Sequence, residues 1–279
     1  VEPGVVLDHL NAYLKPHGLW FPVDVSTSSR ATIGGMSANN SCGSRSLYYG
    51  NMVHNVLAIE AILDDGSLHT FDQINKNYLT TTNNQDRFYK IIDKFLHLRQ
   101  KVSKDIDENW PTTQRRVGGY NIDALMPDAM ALRPGGKTGD GINLAHLLVG
   151  SEGTLAISKT ITLKLSPLPA KKVMGVCHFP TFYKAMDAAQ HLVTLDPVAV
   201  ELIDSTMLNL ARSIAIFKST VEQYVRGMPA ALLVVEFAED DHSENLCKLA
   251  ELEKMMAELG CGWDKSASAA GGLVCLSEP

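Results

Sequence analysis

The sequence is short of the signatures that usually announce a function. It has no CxxC pair, and its five cysteines, Cys42, Cys177, Cys247, Cys261 and Cys275, are odd in number and widely spaced. That leaves a zinc ribbon or an iron–sulfur site within these residues without support, and it suits the reduced thiols of a cytoplasmic protein. No basic run is present and the net charge is -6, which argues against a nucleic-acid-binding face. No apolar run reaches membrane-spanning length and no signal peptide opens the chain, although Val1-Glu2-Pro3-Gly4 reads like the middle of a domain. No GxGxxG follows a strand pattern, and HExxH and GxSxG are missing. Gly135-Gly136-Lys137-Thr138 ends like a phosphate loop, but Ala131 stands where the first glycine belongs, so it reads as a solvated loop. The nine histidines are scattered without compact metal-ligand spacing, so no metal site is expected.

What is present is an ordinary globular composition, 45% hydrophobic and 20% charged, over a length that suggests two domains. Val5 to His17 has leucines at helical spacing with Gly18 as a stop, and Leu19 to Val25 is a short extended piece. Val53 to Leu63 is an apolar, β-branched strand that turns through Asp64-Asp65-Gly66-Ser67 into Leu68 to Phe71. Gln85 to Val102 carries Phe88, Ile91, Ile92, Phe95 and Leu98 on one helical face. Asp105 to Gly141 reads as irregular, Ile142 to Val149 as a short helix, and Leu155 to Leu165 as a strand with one face buried. Pro167 and Pro169 mark a boundary, giving domains over residues 1–168 and 169–279. Beyond it the pattern alternates: strand Val173 to Phe179, helix Phe182 to Leu195, strand Val198 to Ile203, helix Ser205 to Phe217, strand Ala231 to Phe237, helix Ser243 to Leu259. This predicts an α+β sheet covered by helices on one side, a ferredoxin-like cap. Cys261 to Pro279, with its Ser/Ala/Gly run, predicts a poorly packed end without a closing strand.

The stretch that stands apart is Ser26 to Gly50, STSSRATIGGMSANNSCGSRSLYYG. It is small, polar and glycine-rich, with Ile33 and Met36 as an apolar anchor beside Gly34-Gly35. Such a loop either lies bland on the surface or shows its backbone amides and hydroxyls to a large, phosphate-bearing ligand. The order PVD, ATIGG, NN-S-CG, YG, HNVLAIEAILDDG resembles the FAD-binding domain of the vanillyl-alcohol oxidase type, most of all its D-lactate, glycolate and D-2-hydroxyglutarate dehydrogenase branch. Gly150-Ser151-Glu152-Gly153-Thr154-Leu155-Ala156-Ile157 resembles that branch's G-S-E-G-T-L-G-I signature, with Ala156 replacing a glycine. Arg115-Arg116-Val117-Gly118-Gly119-Tyr120, followed by Asn121-Ile122-Asp123, resembles the stretch that precedes it.

The resemblance implies an α+β chain: the second half of a PCMH-type FAD-binding domain lacking its first subdomain, then a ferredoxin-like α+β cap. It places FAD along Pro22 to Gly50, with Pro22, Ser28, Thr32, Ile33, Gly34, Gly35, Asn39, Asn40, Gly43 and Gly50 as cofactor contacts, joined by Gly153 and Ile157 of the second signature. Glu152 is expected to brace that turn. Cys42, beside the flavin path, reads as a small packing residue or as a redox-sensitive thiol. Arg115 and Arg116 are candidates for a substrate carboxylate, because a guanidinium forks onto one, or are simply exposed on a loop. The expected parent oxidises a small D-2-hydroxy acid: a histidine base takes the alcohol proton, hydride goes to the flavin, and electrons pass to an acceptor other than NAD or to a fused iron–sulfur module. The family's pyrophosphate loop and its metal and substrate segment are missing, so the chain reads as an internal fragment and no catalytic residue is assigned. Two rivals stand beside this: a cofactor-free FAD-fold piece with a structural or interaction role, and a flavin reductase of cell-wall precursors.

Overall fold

Leu7, Leu10 and Leu14 fall on one face of α1 (Leu7–Leu14) and are buried there, as a helical spacing of leucines requires. The chain then reverses at Gly18 into β1 (Leu19–Trp20), which pairs antiparallel with β7 (Ser166–Pro167). This computed structural model describes residues 1–75, 86–113, 115–125, 141–263 and 271–276. The phosphate-loop look-alike at 135–138 and most of the Ser/Ala/Gly run at 266–272 lie outside the described residues. The chain divides into two units, Val1–Leu168 and Pro169–Pro279.

In the first unit the stretch read as a glycine-rich loop contains a helix, α2 (Ile33–Asn39). Its residues are poor helix formers. What overrides propensity is the N-cap, where the Thr32 hydroxyl accepts from the Gly35 amide at 3.3 Å, together with burial of Ile33 and Met36. Two short helices follow, α3 (Ser46–Tyr49) and α4 (Met52–Asn55). Then β2 (Val56–Ile62) turns through Gly66 into β3 (Leu68–Phe71), and β6 (Ile157–Leu163) joins the other edge of β2. The sheet order is β3-β2-β6. Ile161 is buried, but Ile157 points outward and is 70% exposed, so the expected inward face of that strand begins later than read. β4 (Gln73–Asn75) pairs with β5 (Gly141–Asn143). The expected helix from Ile142 to Val149 is thus a strand followed by a 3-10 turn at Leu144–Leu147. The amphipathic helix α5 (Arg87–Lys101) buries Phe88 and Ile92, and α6 (Ser103–Asn109) forms where irregular chain was expected.

The second unit holds β8 (Val173–Phe179), α7 (Phe182–Leu192), β9 (Ala199–Asp204), α8 (Ser205–Ser213), α9 (Ala215–Tyr224), β10 (Ala231–Phe237), α10 (His242–Glu258) and β11 (Gly272–Leu276). All pairings are antiparallel and the order is β11-β8-β10-β9, the ferredoxin-like arrangement with a helical pair inserted before the third strand. Side-chain caps start three of the helices: Thr181 accepts from Lys184, Asp204 from Met207 and Asp241 from Ser243. Two expectations are corrected here. A closing strand exists, because Leu273 to Leu276 find hydrogen-bond partners on β8 and Leu273 is buried against it. Helices also meet both sheet faces: Cys177, Phe179, Leu233 and Val235 pack in one cluster with residues of α7 and α10, while Val176 and Leu232 pack with Leu208 of α8 and Tyr224 of α9.

Candidate functional site

The three signature blocks are far apart in the chain and meet in the first unit. The carbonyls of Ser37 and Ala38, in the last turn of α2, accept from the amides of Gly150 (2.9 Å) and Glu152 (3.0 Å). The third block closes the junction. Asn121 donates from Nδ2 to the Val149 carbonyl (2.7 Å), and its Oδ1 accepts from Asn40 Nδ2 (3.3 Å) and Arg116 Nη2 (3.2 Å). The Tyr120 hydroxyl lies 2.8 Å from the Thr154 hydroxyl, and Arg115 donates to the Gly43 carbonyl at 3.0 Å. Gly150 has a φ of 82°, and a Cβ there would sit 2.8 Å from the Gly119 carbonyl oxygen, so only glycine lets the blocks close on one another.

Asparagines hold this junction together. Asn40 ends α2 in the left-handed conformation with φ 52°, and its fully buried side chain also accepts from the Val53 amide at 3.0 Å. Asn51 donates to the Arg116 carbonyl at 3.2 Å, and Asn55 donates to the carbonyls of Tyr49 and Asn51. On the other side Asp24 clamps the loop after α2: its carboxylate accepts from the Ser44 hydroxyl (2.8 Å), the Arg45 amide (3.1 Å) and the Arg45 guanidinium (2.9 Å). None of Asp24, Asn51, Asn55 and Asn121 was given a role from the sequence, although Asp24, Asn55 and Asn121 fall within the quoted blocks.

Two histidines lie beneath the junction, His146 buried and His54 half-buried. His54 accepts at Nδ1 from the Asn51 amide at 3.0 Å. Burial lowers its pKa to about 4, with nearby His146 adding to the effect. Burial likewise lowers His146 to about 4, against opposing contacts from the Ala124 and Val53 backbone and from Asp123. Both rings are therefore neutral near pH 7.

The expected cofactor contacts divide into two groups. Pro22, Ile33, Asn40 and Gly50 are buried, and the amides of Ile33 and Gly34 donate to the carbonyls of Val5 and Pro3. A Cβ on Gly34 would lie 2.5 Å from Pro3 Cβ, and one on Gly43 would lie 2.3 Å from the Asp24 carbonyl oxygen. Those glycines answer to internal packing. The expectation that this stretch shows a ligand many amides is thus corrected: most are already used, as are those of Gly150, Ser151, Glu152 and Thr154. Open to solvent are Gly35, Asn39 and Gly153, with Ser28 and Thr32 half-buried at the edge and Ile157 further along β6. Gly35 and Asn39 share one face of α2 at i, i+4 spacing, beside the Glu152-Gly153 turn that docks on Ala38. A Cβ on Gly35 would meet only the Thr32 hydroxyl, at 3.2 Å, so internal packing does not demand glycine there. The two arginines also part company. Arg116 is half-buried, with Nη2 held by Asp123 at 2.7 Å and its guanidinium 4.8 Å over the Trp110 ring, so part of its fork is already engaged. Arg115 is exposed, and among the described residues it is bound only through Nη1.

Comparison with known proteins identifies the domains to which these blocks belong. Residues 1–72 match the family described as FAD binding domain, and residues 168–270 match FAD linked oxidases, C-terminal domain. The chain thus carries a FAD-binding domain and an FAD-linked-oxidase C-terminal domain. Both domains indicate FAD as the cofactor. Among curated relatives, D-2-hydroxyglutarate dehydrogenase of Pantoea ananatis (strain AJ13355) is 32% identical over 92% of this chain and 25% of its own length. That of Escherichia coli (strain K12) is 32% identical over 87% and 23%. D-lactate dehydrogenase of Archaeoglobus fulgidus is 28% identical over 89% of this chain and 41% of its own length. The chain thus spans about a quarter of the D-2-hydroxyglutarate dehydrogenases it matches. Among solved structures, an alkyldihydroxyacetonephosphate synthase shares the fold with a TM-score of 0.57 at 16% identity, covering 98% of this chain and 39% of that one. Among the described residues no helix is long and apolar enough to cross a membrane, and no three His, Cys, Asp or Glu residues gather as metal ligands.

Proposed function

We propose that the complete protein oxidises a D-2-hydroxy acid (D-lactate, glycolate or D-2-hydroxyglutarate) to the 2-oxo acid with FAD, passing the electrons to an acceptor other than NAD. The observation that carries this is the junction itself. Three blocks resembling one hydroxy-acid branch close on each other through Gly150, Asn121 and Asn40, and the face they leave open is the one with Gly35, Asn39 and Gly153. Bound there, FAD would supply the two-electron acceptor for the substrate's carbon-bound hydrogen.

The chain's own residues would do the positioning. Gly35 lets the ligand approach α2 without a side chain between them, Asn39 offers an amide one turn later, and Gly153 gives the turn's exposed backbone. Arg115, with Nε and Nη2 bound to no described residue, is the better placed of the two arginines to fork onto a substrate carboxylate. His146 is buried in the junction and His54 is half-buried there, its Nδ1 already accepting from the Asn51 amide, so neither is assigned as the base. All five cysteines are unpaired, which supports a reducing compartment, and we place the protein in the cytoplasm.

The test is anaerobic mixing of the complete, purified protein with paired enantiomers. D-2-hydroxyglutarate or D-lactate should bleach the flavin absorbance, and the L forms should leave it unchanged. Glycolate, which has no enantiomer, is assayed beside them. A colourless preparation that takes up no FAD would favour the cofactor-free structural module. A flavoprotein bleached by none of these acids would sink the hydroxy-acid assignment alone.

A further inference from the structure

The two faces of the second unit's sheet are filled unequally. On one face α7 and α10 bury Ala188, Leu192, Leu249 and Leu252 in a cluster with Cys177 and Val235. On the other face the pair α8 and α9 leaves a cavity of about 580 Å³ between itself and the sheet. Val176, Leu232 and Val234 form its floor. Leu208 and Ala211 of α8 line one side, and α9 lines the other. Phe217, Val221 and Tyr224 share one face of α9 at i, i+4 and i+7 and all reach the cavity, yet none of the ten residues of α9 is buried. A helix this short draws its stability in a protein from burying such a face. Met207 at 57% and Phe217 at 52% exposure stand open in the lining. Protein interiors are close-packed, so a gap of this size with large apolar side chains open around it marks a site that something else fills.

We propose that this cavity binds an uncharged, mostly aliphatic small molecule that carries one carbonyl or hydroxyl. Its volume lies within the range of small-molecule sites, roughly 300–1,000 Å³. Charge fixes the class of ligand. Among the described residues no charged side chain lines the cavity. The charges of the helix pair are engaged elsewhere: Arg212 donates to the Gly227 carbonyl at 2.6 Å, and Lys218 lies 3.8 Å from Glu222. A carboxylate or phosphate in the cavity would be buried without a partner, which the surrounding apolar contacts do not offset. One polar group on the ligand is met by the hydroxyls of Thr220 and Tyr224, the polar side chains of the lining. Met174 and Met207 are unbranched and adaptable, so the walls can follow a flexible chain. With the ligand in place, α9 gains the buried face that it otherwise lacks. The proposal does not rest on the FAD reading, and the same charge argument keeps the phosphates of FAD out of this cavity.

The experiment titrates the complete, purified protein with octan-2-one and with octanoate in a calorimeter at pH 7. The two probes are equal in length and differ in charge. Octan-2-one should bind, and octanoate should bind at least tenfold more weakly. Ala211→Phe, which fills the cavity from α8, should weaken octan-2-one at least tenfold, and Val221→Phe should do the same from α9. Melting of both variants shows which of them keeps the fold. Ile216→Ser, at an α9 position outside the lining and 75% exposed, should bind like the parent protein. Four results would overturn the assignment. They are no binding of octan-2-one, octanoate binding as tightly, and binding that ignores a filling variant whose melting temperature is unchanged. The fourth is binding that appears only as subunits separate on dilution, which would give the cavity to a second copy of the chain. None of them touches the FAD reading, which is judged by flavin absorbance.

Discussion

Gly150→Ala should destabilise the first unit by about 3 kcal/mol, the sum of a left-handed backbone forced on a residue with a Cβ and an overlap with a neighbouring carbonyl. The φ of 82° is the first term, and the 2.8 Å approach to the Gly119 oxygen is the second. The neighbours cannot give way cheaply. Asn121 Nδ2 and Asn40 Cβ stand 3.2 and 3.4 Å from the same point, and both residues are fixed by hydrogen bonds to the junction. Relief by shifting the turn would break the Gly150–Ser37 and Glu152–Ala38 hydrogen bonds. Chemical denaturation should therefore show a lower midpoint, and FAD binding at the proposed face should fail with the fold because that face is built on those bonds. Gly153→Ala is the control. Gly153 also has a positive φ, 73°, but nothing lies within 4 Å of the added methyl, so its loss should be no more than the backbone term. Equal stability of the Gly150→Ala and parent chains would mean that the blocks do not meet as described.

Acid should weaken the same unit well before its carboxylates protonate fully. His54 and His146 both titrate near pH 4 when folded, against 6.5 for a free histidine. A depressed histidine pKa means that the unfolded chain binds more protons than the folded one between those values. The stability held by the neutral pair is therefore complete above about pH 6.5 and is lost as the pH falls toward 4. A shift of this size corresponds to about 3 kcal/mol. Urea unfolding at pH 7 and pH 5 should show most of that loss. In His146→Gln the difference between the two pH values should shrink, because one of the two rings is gone. A parent chain equally stable at both pH values would contradict the neutral pair.

Much of the second unit was legible because its strands are continuous apolar runs with sharp ends: Val173–Phe179 and Ala231–Phe237 fall where the pattern puts them. β11 was not legible. Its burial comes from pairing with β8, nearly a hundred residues earlier, and local composition carries no trace of that. α2 failed for the opposite reason: Gly34, Gly35, Ser37 and Asn39 argue locally against a helix, and one threonine cap with two buried side chains outweighs them. At the site each block could be recognised singly. Their mutual hydrogen bonds could not, so amides that looked available to a ligand turned out to face one another. His54 and His146 looked scattered for the same reason, since only the fold brings them together.

The account turns on one contrast within the first signature. Gly34 and Gly35 are adjacent, yet Gly34 is closed off by Pro3 while the space over Gly35 is open apart from the Thr32 hydroxyl. FAD titration and melting of the complete protein as Gly34→Ala and Gly35→Ala measure this directly. Gly35→Ala should keep its cofactor-free melting temperature, since alanine gains about 1 kcal/mol over glycine inside a helix against a small push on the cap, and should hold FAD at least tenfold more weakly. Gly34→Ala should melt lower. Unchanged FAD affinity in Gly35→Ala, with or without a change in melting, would show that the open face of α2 is not where the flavin lies.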